Sequence, residues 1–180
     1  MSETATTVSL RRLEPADLSA YKALRDIALR NHPDAFDSDF ETEQHRQPES
    51  YLGRLGLNEP LGGTFLLGAW DQGKLVGCIG CERSTIVKTR HRAEVYGLMV
   101  REGHGGRGTG SALVRSATQI ARSAAGLKML TATVTATANP VVGLYEHAGF
   151  ERYGLLRMAM RVPTPQGVLY FDKLEMVLAL

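Results

Sequence analysis

Between His104 and Val114 the chain reads HGGRGTGSALV, with Gly105, Gly106, Gly108 and Gly110 crowded into six positions ahead of an apolar run of helical spacing. Glycine gives up more chain entropy on folding than any other residue, so this density implies a use for bare backbone. Without β-carbons, main-chain N–H groups can turn toward a ligand, and a helix starting just beyond them adds partial positive charge. The chemistry indicated is anion binding. Arg101, His104 and Arg107 add attraction for phosphate. A plain strand-to-helix turn is the competing reading of the same residues.

Two common phosphate devices fit poorly. Gly103, Gly105 and Gly108 satisfy G-x-G-x-x-G, but a dinucleotide fold wants an acid about 20 residues on for the ribose, and none stands between Glu102 and Glu146. A P-loop needs Lys and then Ser or Thr after its last glycine. Here Gly108 is followed by Thr109, and Gly110 by Ser111. Elsewhere, Cys78 and Cys81 form a C-x-x-C within KLVGCIGCERS. On a strand these thiols diverge to opposite faces, and no second Cys or His pair completes a metal site. Two small buried hydrophobes are expected, and no metal.

The elements around the loop follow from periodicity and punctuation. EPADLSAYKALRDIALRNHP reads as an opening helix, with Asp17 as cap or first-turn acid, Leu18, Tyr21, Leu24 and Ala28 as its stripe and Pro33 as its stop. DAFDSDFETEQHRQ carries Asp34, Asp37, Asp39, Glu41 and Glu43 with weak periodicity. It is expected as a mobile or lid-like connection, either simply solvated or closing over a cationic ligand. PESYLGRLGL suggests a short second helix. TFLLGAW and KLVGCIGCERS form two strands joined by DQGK, and AEVYGLMV a third that leads into the glycine loop.

Beyond the loop, SALVRSATQIARSAA is expected as a helix stopped by Gly126, KMLTATVTA as a buried strand and NPVVGLYEHAGF as a short helix ending at Gly149. ERYGLLRMAMRVP and VLYFDKLEMVLAL close the chain as an antiparallel pair around TPQG. Antiparallel strands, one strand-loop-helix-strand crossover and a final pair imply an α+β (mixed α/β) sheet. The KTRHR cluster, Lys88 to Arg92, is a solvated hairpin end or a contact for an anion.

Composition bounds the function. The 180 residues are 43% hydrophobic without a shift along the chain, so residues 1–180 are expected to form a single domain. The 21 basic and 19 acidic residues are dispersed, which argues against nucleic acid as a partner. No apolar run approaches bilayer length, and MSETATTVSLRR lacks the order of a secretory signal. No membrane association is expected, and a cytoplasmic location is the default.

The loop resembles the pyrophosphate loop of the GNAT superfamily of acyl-CoA-dependent N-acetyltransferases, and the resemblance covers nearly the whole chain. That loop reads Arg or Gln, two residues of any type, Gly, any residue, then Gly or Ala. Gly108 and Gly110 match. Gly105 replaces the usual Arg or Gln, leaving Arg107 or Arg101 to supply a loop-ordering side chain. AEVYGLMV is similar to the family's fourth strand, and NPVVGLYEHAGF to its Asn-then-Leu-Tyr-Glu-x-x-Gly-Phe segment. The opening with ALRNHPDAF and the ending YFDKLEMVLAL are similar to small bacterial-type members whose acceptors are poorly defined.

The resemblance implies a central, mostly antiparallel, splayed mixed sheet flanked by helices, with acetyl-CoA as co-substrate. The pyrophosphate would lie on Gly105, Gly106, Arg107, Gly108, Thr109, Gly110 and Ser111, and the pantetheine against Leu98, Met99 and Val100, with an N–H near Met99 as oxyanion donor. Tyr145 would protonate the departing thiolate, and Glu94 would accept the proton of the amine, directly or through water. Tyr96 shares Glu94's face and either lines the acceptor pocket or packs in the core. Asn139 would cap the helix carrying Tyr145, with Pro140 at the first helical position, and reach the pantetheine; capping alone is a sufficient reason for it. KTRHR would meet the adenosine phosphate or an acidic partner. The expected activity is acetyl transfer to a primary amine, that of a small molecule, by direct attack in a ternary complex. Acetylation of a protein N-terminus or lysine, and a silent acyl-CoA-binding module, are the alternatives; a homodimer is possible.

Overall fold

A computed structural model describes residues 8–180. Seven strands form one sheet: β1 Ser9–Arg12, β2 Phe65–Asp71, β3 Lys74–Arg83, β4 Arg92–Val100, β5 Met129–Thr135, β6 Glu151–Thr164 and β7 Gly167–Ala179, in the order β1-β2-β3-β4-β5-β7-β6. Neighbours are antiparallel except β4 and β5, which are joined in parallel by the crossover through α3, Thr109–Arg122. α1, Leu18–Asn31, α2, Phe40–Glu43, and a 3-10 helix over Pro48–Leu55 lie before β2; α4, Asn139–His147, follows β5.

The sheet divides two cores. On one face α3 and α4 bury Leu113, Ala117 and Tyr145 against Ile79, Cys81, Val95 and Leu130. On the other, α1 and the 3-10 helix bury Leu18, Tyr21, Leu24 and Tyr51 against Leu66, Cys78 and Met99. The two thiols therefore part to opposite faces as alternation requires, and burial pushes both up to about 12, leaving them inert.

β1 has no counterpart in the sequence reading. Only Leu10 of its four residues is partly buried, so it carries no alternation signal; pairing with β2 and the stacking of Arg11 on Trp70, 4.1 Å from the ring centroid, hold it. α3 stops at Arg122, four residues before Gly126, through a turn in which Ser123 N–H donates to the Ile120 carbonyl. β6 is an edge strand, mostly exposed, with Leu155, Leu156 and Met158 on the surface.

The acidic connection is pinned, contrary to the mobile segment expected. Thr135 Oγ1 donates to the Asp34 carbonyl at 2.6 Å, Lys173 Nζ meets Asp37 at 3.0 Å and Arg25 reaches Ser38 at 2.9 Å. Asp39 caps α2 by accepting from Thr42 N–H, 2.7 Å. Glu43 is buried, taking hydrogen bonds from Arg25, Arg46 and the Tyr51 hydroxyl, which outweigh desolvation and hold its carboxyl near 2. Spacing along the chain gives no sign of partners 18 and 101 residues away.

Candidate active site

β4 is regular up to Tyr96 and then carries one extra residue. Gly80 faces Tyr96 and Cys78 faces Met99, so β3 advances two positions while β4 advances three, and Gly97 takes φ +61° in the bulge. Tyr96 and Met99 both remain on the α1 face, and Leu98 packs toward the α3 core. Pairing with β5 is confined to Arg92–Glu94 against Met129–Thr131. Beyond Glu94 the strands part, and the β5-facing edge of β4 has no strand beside it.

Alternation decides which backbone groups line that opening. Arg101 N–H donates to the Val76 carbonyl at 2.7 Å, so Met99, two residues earlier and opposite Cys78, also turns its backbone toward β3. Leu98 and Val100 turn theirs to the free edge. The expectation for Met99 is corrected: its backbone pairs within the sheet and its side chain is buried.

A cavity of about 70 Å³ occupies the splay, lined by Tyr96, Gly97 and Leu98 of β4, Thr133 of β5, Phe36 of the pinned segment and Tyr145 of α4. Tyr145 is 2% exposed and packs edge-to-face on Phe150, with ring centroids 5.2 Å apart. Burial, and next the negative charge of Glu94, raise its pKa, so the phenol keeps its proton at neutral pH. Thr133 also lines a second, open pocket of about 440 Å³, shared with Glu82, Glu94, Arg92, Thr131 and Tyr153. Glu94 is exposed and forms part of the lining of this pocket. Partial desolvation, then the charges of Glu82 and Asp37, raise its pKa above that of an ordinary glutamate.

At the C-terminal end of β4 the glycine loop turns into α3. Gly103, Gly106 and Gly108 adopt φ of +83°, +72° and +81°, and a β-carbon at Gly103, Gly105, Gly106 or Gly108 would meet nothing within 4 Å. Gly108 is the N-cap of α3 and has no side chain to bond the first-turn N–H groups, which stay available to an anion. Gly110 has a different reason: a β-carbon there would come within 3.0 Å of Leu144, so it lets α3 approach α4. Arg101 and Arg107 are exposed and form no ion pair among the described residues, against the expectation that one of them orders the loop. His104 does so instead, its Nε2 3.1 Å from Asp71 Oδ2 on β2, while Glu102 accepts from Asn31 of α1 at 3.0 Å.

Two further expectations fail on geometry. α4 starts at Asn139 itself after N-cap Ala138, no side chain caps it, and Asn139 is exposed; Pro140 is thus the second helical residue. KTRHR ends at Arg92, the first residue of β4, and the glycine loop follows that strand. The rest of β4, Ala93 to Val100, about 26 Å, separates them, so the cluster cannot serve a phosphate group on the loop.

The family model for the acetyltransferase (GNAT) family matches residues 21–150. The chain belongs to the GNAT acetyltransferase family. No curated protein matches the chain in sequence. Among solved structures, a GNAT-family acetyltransferase from Streptococcus pneumoniae superposes with a TM-score of 0.80 at 21% identity, over 97% of this chain and 100% of that one. A ribosomal-protein-alanine N-acetyltransferase from Brucella melitensis gives 0.77 at 24% identity, covering 96% and 99%. A phosphinothricin acetyltransferase from Sinorhizobium meliloti, in complex with acetyl-CoA, gives 0.75 at 19%, covering 97% and 89%. The splayed mixed sheet is the GNAT fold. No helix among the described residues is long and apolar enough to cross a membrane.

Several residues of this GNAT site escape the sequence reading. Glu82 was within reach, because the β3–β4 register places it opposite Glu94. Phe36, Thr133 and Tyr153 arrive from three separate elements with no local motif, and Asp71 meets His104 across 33 residues.

Proposed function

We propose that the protein transfers the acetyl group of acetyl-CoA to the primary amine of a small molecule by direct attack in a ternary complex. One observation carries this reading: the free edge of β4 runs from unpaired α3 N–H groups, past Tyr145, to the pocket holding Glu94. The open glycine loop and the strandless edge fit a pyrophosphate followed by an amide-bearing chain. Acetyl-CoA supplies the thioester when bound.

The chain's own residues then have separable tasks. The first-turn amides of α3, with Gly105 to Ser111, hold the diphosphate, and Leu98 and Val100 offer main-chain groups to the pantetheine amides. An N–H at that edge, near Leu98, stabilises negative charge on the carbonyl oxygen. Glu94, kept basic enough by its raised pKa, takes the proton of the acceptor amine, directly or through water. The C–N bond forms and the C–S bond breaks, with the Tyr145 proton passing to sulfur. Asn139, exposed at the start of α4, is free to reach the pantetheine. At about 440 Å³ the acceptor pocket has room for a small amine.

The test is CoA release from acetyl-CoA across a panel of primary amines, with both substrates varied. Saturable release dependent on the amine, with intersecting double-reciprocal lines, is expected. Parallel lines would refute direct attack. Tight acetyl-CoA binding with no release for any amine would instead make this a silent acyl-CoA-binding module.

A further inference from the structure

Arg54, in the 3-10 helix over Pro48–Leu55, differs from the other buried cations. Lys22 pairs with Asp26, Arg25 with Glu43, Lys173 with Asp37, and Arg83 with main-chain carbonyls and Glu59. Arg54 is partly buried, yet no carboxylate lies within salt-bridge distance among the described residues. Its guanidinium stands 5.0 Å from the ring centroid of Tyr51 and 5.4 Å from that of Tyr96. Of its five N–H groups, only one on Nη1 has an acceptor among the described residues, the Tyr21 hydroxyl at 2.8 Å.

The phenols deepen the imbalance. Among the described residues, Tyr21 accepts from Arg54 and finds no acceptor for its own proton, and the Tyr96 hydroxyl is buried without a partner. A guanidinium and two phenolic O–H groups thus converge with the Tyr21 hydroxyl as their sole acceptor among the described residues, where buried polar groups are ordinarily matched. The complement of such a corner is an oxyanion, and a carboxylate suits the planar fork of arginine.

Tyr96 joins this corner to the site, because it also lines the splay cavity beside Tyr145 and Thr133. Tyr96 and Glu94 are two residues apart on the regular part of β4 and share a face, about 7 Å along the strand. Glu82 stands opposite Glu94, so donors and positive charge lie at one end of this stretch and two carboxylates at the other. We infer that the acceptor is zwitterionic, a free amino acid whose carboxylate is held by Arg54 with Tyr21 and Tyr96 while its amine is presented at Glu94. This rests on the amine-acetyltransferase reading and narrows its substrate class. A protein N-terminus, whose first carbonyl is an amide, would lack the matching charge.

The experiment compares free L-amino acids with their carboxamides as acceptors at saturating acetyl-CoA, reading CoA release. For the best acceptor, the acid is expected to exceed its carboxamide in kcat/KM on the order of 10²-fold, with most of the difference in KM. Arg54→Gln should bring the acid to within a few-fold of the carboxamide, and Arg54→Lys should keep part of the preference. Tyr96→Phe, which retains the ring against Gly80, should reduce the preference several-fold. Acids and carboxamides turned over equally by the wild-type protein, or an Arg54→Gln change that lowers both by one factor, would overturn the inference while leaving amine acetylation standing. Absence of release from every amine would overturn both.

Discussion

The two ends of β4 meet a ligand by opposite means. At its C-terminal end the glycine loop presents main chain, with positive φ at Gly103, Gly106 and Gly108 and open space where β-carbons would be. At its N-terminal end the acceptor pocket presents side chains: Glu94, Glu82, Thr131 and Tyr153, with Arg54 and Tyr96 alongside. Backbone recognition suits a ligand part that never changes, because N–H groups and a helix terminus are the same in any sequence. Side-chain recognition can be rewritten residue by residue without disturbing the sheet. Under the proposed function, the difference assigns one end to a fixed donor and the other to a particular acceptor.

Five substitutions sharpen or break that contrast. Tyr145→Phe, at the junction of the ends, should lower kcat by a factor on the order of 10² to 10⁴ with acetyl-CoA affinity nearly unchanged. The loss should shrink with a donor whose thiol is more acidic, and equal losses for both donors would return Tyr145 to packing against Phe150. Gly108→Asp should weaken acetyl-CoA binding on the order of 10²-fold or more by calorimetry, since it places a strained backbone and a negative charge among the α3 amides. It is a cleaner probe than Gly110→Asp, whose side chain would also collide with Leu144. Unchanged affinity would mean that the phosphates bind elsewhere.

Glu94→Gln tests the side-chain end. A base must be deprotonated to act, so kcat/KM should rise with pH through a pKa above the usual glutamate range, following the upward shift caused by desolvation, Glu82 and Asp37. The variant should lose roughly 10²-fold at neutral pH and lack that acid limb; a retained wild-type limb would assign the base to another group. The smallest effect is expected for His104→Ala, which removes one loop-ordering contact and should raise KM for acetyl-CoA by a factor of roughly 3 to 10 with kcat unchanged. Asp71→Asn should behave similarly, and an effect on kcat alone would show that the contact orders something other than the loop.

The same contrast explains what could be read from the chain. The donor end is written in composition, because positive φ and close approach demand glycine locally, and HGGRGTG shows both before any fold is known. β2 to β5 are legible for a related reason, since an apolar run bounded by turn residues is a short-range property. The acceptor end draws on the connection before α2, the 3-10 helix, β3, β4, β5 and β6, each giving one or two residues with no fixed spacing, so Arg54 and Tyr153 looked like ordinary surface positions. Asn139 misled because the cap preference of Asn before Pro is strong locally, yet the turn from Thr135 places Ala138 at the cap instead. The acidic connection misled because an ion pair as buried as Glu43 with Arg25 leaves no trace in periodicity.

The bulge at Gly97 has a consequence for how such a protein can be inherited and varied. Val95 and Leu98 face one core and Tyr96 and Met99 the other, so removing Gly97 alone would leave every neighbour on its present face. Burial of the side chains therefore places no demand on Gly97, so a β4 without that residue keeps its inward and outward order.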